Sequence, residues 1–192
     1  MVIPAHSLGI GAQRGASLLE VLITLVILAI GLLGLAGLQS RLQASEMEAY
    51  QRAQALVLLE DMASRIAANR ANAASYVTDT PLGFNNGCSY GTSTRQTVDF
   101  DEWCKALQGA GELQGTASVG AMIGGRGCVE VDPDDPDVYR VTVAWQGLTP
   151  LAAPAESCGK DLYDGAAGSV CTGDLCRRVA TTVVRIGNLS SL

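Results

Sequence analysis

Apolar positions follow one another almost without interruption from Gly15 to Leu38, GASLLEVLITLVILAIGLLGLAGL. From Val21 to Leu38 the only polar side chain is Thr24. A helix needs about 20 apolar residues to cross about 30 Å of hydrocarbon, and this stretch meets that length. The pattern then changes. From Gln39 to about Ala74 there is no glycine or proline, and Ala, Leu, Glu, Arg and Gln dominate. All are good helix formers. Leu42, Ala49, Tyr50, Ala53, Leu56, Val57, Met62, Ala63 and Ile66 recur at spacings of three and four, which predicts an amphipathic helix. Arg41, Glu46, Glu48, Arg52, Glu60 and Arg65 fall mostly off that stripe. The stripe reads as ordinary core packing, and one helix from Ser17 to about Ala74 is expected.

Beyond Asn72 the chain turns to Gly, Ser, Thr, Asn and Cys as far as Gly127. A short helix is expected at Asp99–Gln108, capped by Asp99 or Asp101, with Trp103 and Leu107 facing inward. Gly109–Gly127 is too rich in glycine for a stable helix. Alternation of apolar and polar residues then predicts strands at Cys128–Asp132 and Val138–Trp145, joined by a turn at Pro133–Asp137. Tyr139, Val141, Val143 and Trp145 share one side. A third strand is expected at Arg178–Ile186, after a long cysteine-bearing loop. Three antiparallel strands against the back half of a long helix make an α+β layout.

Glu20 is the anomaly in the first stretch. A carboxylate at membrane depth costs a few kcal/mol or more unless it is paired or neutralised. The residues before it suggest the partner. Arg14-Gly15-Ala16-Ser17-Leu18-Leu19-Glu20 resembles the processing segment of type IV prepilins, and Ile30–Gln39 is most similar to minor pilins of the PilV type. The resemblance covers roughly Gly15 to Gln39. It implies cleavage by prepilin peptidase between Gly15 and Ala16, and N-methylation of Ala16, which stands where phenylalanine is commoner in the family. The freed amine would be a cation to pair with Glu20, from the same chain or a neighbour. The layout of the remaining chain agrees with a pilin-like fold.

The resemblance also implies an organisation. Residues 1–15 form a cleaved leader, 16–38 the transmembrane or filament-core half of the helix, 39–74 its amphipathic half, and 75–192 a periplasmic α+β domain with disulfide-stapled loops. A secretory signal peptide fits less well. There the small-residue cleavage site follows the apolar core, whereas here the glycine precedes it. Gly31, Gly34 and Gly37 are not a dinucleotide-binding loop, because no strand precedes them. Small residues in an apolar helix allow close helix packing.

Composition narrows the function. The formal net charge is −6, and no basic patch argues for nucleic acid as a partner. All six cysteines lie from Cys88 onward, an even set that suits an oxidising compartment. Cys88 and Cys104 flank the excursion in this loop-rich stretch, could staple it, and are the pair singled out. Pairing of Cys128, Cys158, Cys171 and Cys176 stays open. No CxxC spacing points to zinc or thiol redox chemistry. Asp132, Asp134, Asp135 and Asp137 are interrupted by prolines and lack the glycine and terminal glutamate of a calcium loop, so they read as a solvated hairpin tip. Asp161–Gly168 reads as an ordinary turn. His6 is the only histidine and would leave with the leader, removing the commonest general base. No catalytic residue, metal site or cofactor is expected.

The reading is therefore a non-enzymatic minor pilin of a type IV pilus, processed by prepilin peptidase and joining a priming or tip complex with other minor pilins and the major pilin. It would sit in the inner membrane by a single pass, and on the cell surface after assembly. A type II secretion pseudopilin shares the N-terminal segment, and a tip adhesin using the loops between Asn72 and Gly127 is a further alternative.

Overall fold

The computed structural model describes residues 17–115, 117–118, 120 and 122–187. Its elements are helix α1 (Leu18–Ala68), a 3-10 segment (Arg70–Tyr76), β1 (Leu82–Gly83), α2 (Arg95–Leu107), β2 (Leu113–Gln114), β3 (Ala117–Ser118), β4 (Arg126–Val131), β5 (Val138–Gln146) and β6 (Arg177–Arg185). The fold class is α+β: a long N-terminal helix with an antiparallel sheet of order β1-β4-β5-β6. β2 and β3 form a separate two-stranded hairpin. The chain divides into two compact units, Met1–Gln43 and Ala44–Leu192.

α1 ends earlier than its composition suggests. The Asn69 amide still closes a turn on the Arg65 carbonyl at 3.0 Å, but Asn72 leaves helical geometry at φ −120°, ψ 24°. The Asn72 side-chain amide donates to Asn69 Oδ1 at 3.0 Å, and that of Asn69 donates to the Tyr76 hydroxyl at 3.1 Å. Local side-chain bonds of this kind compete with the helix ladder. The chain continues to Tyr76 as a tighter 3-10 segment and turns extended at Val77.

The buried stripe of α1 differs from the expected one. Gln51, Ala55, Leu58, Leu59, Met62 and Ile66 are buried, again at helical spacing. Met62 and Ile66 belong to both stripes. Leu42, Ala49, Tyr50, Ala53, Leu56 and Val57 are exposed instead. Apolar residues occupy more of the helix circumference than the sheet can cover, so periodicity alone does not fix which row turns inward.

α2 also starts earlier than expected. Its cap is Thr94, whose hydroxyl accepts from the Thr97 amide while Thr97 Oγ1 accepts from the Thr94 amide. This reciprocal pair satisfies two otherwise orphan donors. Asp99 and Asp101 therefore lie inside the helix, and neither caps it. Trp103 and Leu107 face inward and are buried as expected. The Trp103 indole N–H donates to the Leu58 carbonyl of α1 at 2.9 Å, so this large ring is buried without an unpaired donor.

The three expected strands form, each shifted by one or two residues, with β1 added at the edge beside β4. On β5, Tyr139, Val141, Val143 and Trp145 join the core with Val129 of β4 and the helices. The opposite face carries a second cluster of Cys128, Ala144, Cys158 and Tyr163. Three disulfides, Cys88–Cys104, Cys128–Cys158 and Cys171–Cys176, secure the loops. Closing a loop of about 15 residues removes roughly 3 kcal/mol of unfolded-chain freedom in the entropic model.

Gly127 sits where α2 presses closest on β4. A Cβ there would stand 2.2 Å from Trp103 Cη2 and 2.8 Å from Leu107 Cδ1. Both side chains are fully buried and cannot move aside without disturbing α1. Gly127→Ala is therefore expected to destabilise the protein by about 1–3 kcal/mol, the usual cost of overpacking a core. Urea unfolding followed by tryptophan fluorescence checks this, because Trp103 reports on the same site.

Candidate functional site

In the N-terminal unit, Ser17 opens α1. Its carbonyl accepts from Glu20 N at 2.9 Å and Val21 N at 3.2 Å, and its hydroxyl accepts from Leu19 N at 3.4 Å. Glu20 thus stands in the first turn, where the helix dipole favours a negative charge. This supplies one stabilising term for the carboxylate and leaves its charge uncompensated by any side chain among the described residues. Gly15 and Ala16, the expected cleavage and methylation positions, lie outside the described residues.

Every described residue from Ser17 to Gln43 is exposed. Leu18–Ala68 contains a span long and apolar enough to cross a membrane, with none of that span buried inside the molecule. Thr24 suits such surroundings, because its hydroxyl donates to the Val21 carbonyl at 2.8 Å. In hydrocarbon every polar group must find an internal partner, and this one does. A methyl group placed on Gly31, Gly34 or Gly37 would meet nothing within 4 Å. A close-packing role for these glycines would need a helix from another molecule.

In the second unit, the exposed flanks of α1 hold two loops. Glu48 Oε1 accepts from Leu148 N at 3.0 Å and Thr149 Oγ1 at 3.3 Å, and Arg178 Nη2 lies 3.5 Å away. The Tyr50 hydroxyl donates to Glu112 at 2.5 Å. That bond and the carboxylate charge raise the phenol's pKa. Farther along, Arg65 meets Asp61, Asp99 and Glu102. Burial alone would lower its pKa, but the carboxylates outweigh burial and raise it. Asp99 is fully buried, with Arg65, Arg95 and the Tyr76 hydroxyl all bonded to it. This network ties α1, α2 and the 3-10 segment together. An open cleft of about 480 Å³ beside it is lined by Asp61, Ser64, Arg65, Ala68, Asn69 and Arg95.

The Asp161–Gly168 stretch is more than a turn. Tyr163 is buried, and its hydroxyl donates to the Gly124 carbonyl at 2.8 Å. Arg126 lies between the Tyr163 and Phe84 rings, 4.7 and 5.2 Å from their centres. Asp164 accepts from the Gly173 and Asp174 amides. Buried Arg177 pairs with Asp174 at 3.1 Å and donates to the Glu156, Cys158 and Pro154 carbonyls. Sequence reasoning misses this knot. Its one local signal is the acid-to-base spacing of three residues across Cys176 in Asp174-Leu-Cys-Arg177.

Among the described residues no group of three or more His, Cys, Asp or Glu could hold a metal ion. The aspartates at the β4–β5 tip serve the turn. Asp132 and Asp135 accept from the Asp134 and Asp137 amides and also pair with Arg140 and Arg185.

Residues 10–36 match a family model described as the prokaryotic N-terminal methylation motif. That match supports a type IV pilin or pseudopilin. It spans Gly15, Ala16, Glu20 and most of the exposed apolar stretch of α1. It suggests a structural subunit rather than an enzyme, and implies other pilins and prepilin peptidase as partners in general terms. Membrane anchoring and a place in a pilus fit the same segment. No curated protein and no solved structure matches the chain significantly.

Burial pushes the Tyr163 phenol up from its ordinary value of 10 to about 12. The unfolded phenol ionises first, so the stabilisation is complete below pH 10 and is lost as pH rises toward 12. A loss of about 1–2 kcal/mol from this group is expected between about pH 9 and 11.5. Urea midpoints across that range measure it, and Tyr163→Phe should flatten part of the slope.

Proposed function

We propose that this chain is a minor pilin of a type IV pilus, of the PilV type. Prepilin peptidase would cut Gly15–Ala16, Ala16 would be N-methylated, and the mature subunit would join a priming or tip complex that promotes pilus assembly. The observation that carries this reading is the methylation-motif match on a helix whose apolar half has no cover among the described residues. Such a segment needs lipid before assembly and other subunits' helices afterwards. Glu20, its one acid, would then pair with a methylated amine of its own or a neighbouring subunit. Three disulfides support a periplasmic location for the second unit, since they persist in oxidising compartments. The anchor would lie in the inner membrane. A type II secretion pseudopilin remains the second reading, because the matched motif is common to both assemblies.

Mass spectrometry of the membrane-bound protein should find a mature start at Ala16 carrying one added methyl group. A start at Met1, or one beyond Leu38, would overturn the proposal. Glu20→Gln keeps the side chain's shape and removes its charge. The variant should accumulate in the membrane with its disulfides formed, yet recover partner pilins poorly in pull-downs and lower surface piliation. Undiminished recovery and normal piliation would show the charge to be dispensable for assembly.

A further inference from the structure

Among the described residues the buried charged side chains are Asp99, Arg126, Asp174 and Arg177. Asp99 is answered by Arg65 and Arg95, and Asp174 and Arg177 answer each other. Arg126 is only 6% exposed and forms no ion pair. The described residues include all 19 Asp and Glu of the chain, so no other acidic side chain remains to pair with it. A buried charge ordinarily needs such a partner. Arg126 has one weak hydrogen bond, from Nη1 to the Gly124 carbonyl at 3.3 Å, and the rings of Tyr163 and Phe84 nearby. The rings ease the burial of a cation but carry no net charge. Of the five N–H donors of a guanidinium, one is used.

Arg126 is the first residue of β4, and strand alternation puts its side chain on the same sheet face as Cys128, where Tyr163 packs. There it lines an open cleft of about 270 Å³ with Pro81, Phe84, Asn85, Asn86 and Leu162, among others. The wall of this cleft is already fixed. Gly83 pairs with Arg126 across β1 and β4, and Phe84 N donates to the Gly125 carbonyl at 2.9 Å. The Gln108 side chain, at the end of α2, donates to the Gly83 and Asn86 carbonyls at 2.9 and 2.8 Å. The Asn86 side chain in turn donates to the Pro81 carbonyl. A wall held in this way lowers the ordering cost of binding.

The chemistry of the cleft selects its occupant. Among the described residues no second Lys or Arg lines it. One negative charge therefore balances the site, and a phosphate or sulfate dianion would bring an excess. The planar fork of a guanidinium also matches the two oxygens of a carboxylate. At the rim, Phe84 and Leu162 are 46% and 50% exposed, an apolar surface that a hydrocarbon body would cover. We propose that this cleft binds a small organic monocarboxylate, with its carboxylate on Arg126 and its apolar body against Phe84 and Leu162. The site lies wholly in the second unit and does not depend on the pilin reading.

The test titrates the isotope-labelled full chain, in detergent micelles at fixed ionic strength, with sodium benzoate. The Arg126 Nε–H and Asn85 amide resonances should shift saturably in NMR spectra. Benzamide keeps the shape without the charge, acetate keeps the charge without the apolar body, and inorganic phosphate carries the wrong charge and shape. Each should bind at least tenfold more weakly than benzoate. Arg126→Lys keeps the charge and loses the fork, so it should weaken benzoate at least tenfold with the disulfides still formed. Leu162→Glu places a carboxylate at a half-exposed rim position, away from the buried packing. That carboxylate should compete for Arg126 and weaken benzoate by a similar factor, so the test stands even where a change at Arg126 disturbs the fold. No saturable shift, equal binding of benzamide, phosphate binding as tight as benzoate, or full benzoate affinity in either folded variant would overturn the proposal.

Discussion

Everything in the second unit depends on one covered surface, the sheet face under the last turns of α1 and under α2. Leu58, Leu59, Met62 and Ile66 come from α1, Phe100, Trp103 and Leu107 from α2, and Val129, Val141, Val143 and Trp145 from the sheet. Fully burying one such side chain contributes about 1.5–3 kcal/mol relative to leaving it exposed. The Trp103-to-Leu58 hydrogen bond fixes how the helices share that surface, since a buried indole N–H needs an acceptor. Gly127 is what lets the ring reach it. The ion network around Asp99 secures the far end of the same arrangement, with Arg65 from α1 and Arg95 from α2 on one buried carboxylate.

The opposite face is held by different means. No helix covers it among the described residues. Irregular segments from Gly147 to Cys176 lie there, and such segments cannot satisfy their backbone groups with a ladder of their own. Arg177 meets that need by donating to three carbonyls while Asp174 balances its charge. A buried ion pair of this kind is a poor source of net stability but fixes one arrangement of the groups around it. Cys128–Cys158 then joins this loop to β4 covalently. The disulfides thus stand where secondary structure is thinnest, which is where restricting the unfolded chain has the greatest relative effect.

How much of this is legible in the sequence follows from the range of the interactions. The strands at Cys128, Val138 and Arg178 and the apolar run to Leu38 are local patterns, and they form within a residue or two of expectation. The inward row of α1 is not legible. Leu56 and Val57 are as apolar as Leu58 and Leu59, and only the position of the sheet decides between them. The Thr94 cap is a local signal, but by residue type threonine is a weaker cap than aspartate. Asp99 is drawn into the helix instead, where its burial depends on Arg65 thirty-four residues away. Tyr163, Arg126, Asp174 and Arg177 meet only after the chain has folded, so a turn is the natural reading of that segment. At the candidate site, Glu20 and the glycines stand out from the motif and the apolar pattern. Among the described residues neither Glu20 nor the glycines meet a partner, so the fold of the second unit adds nothing to what the motif says of them.

The exposed apolar residues of α1 form two populations with different consequences. Up to Leu38 they surround the helix on every side, as a lipid environment requires. From Leu42 to Val57 they share the circumference with Glu46, Glu48 and Arg52, so lipid would leave charges unsolvated while water leaves only scattered apolar groups exposed. Scattered apolar groups are ordinary on a protein surface, whereas buried unpaired charges are not. The change in surface character therefore falls between Leu38 and Glu46. Gln51, five residues later, is the first position of α1 to be fully buried, and both its amide atoms lack a partner among the described residues. Protein cover begins just before it, where Glu48 meets Leu148 and Thr149, and continues to Ile66. Helix α1 thus changes along its length from an all-round apolar surface to a mixed one and then to a buried stripe.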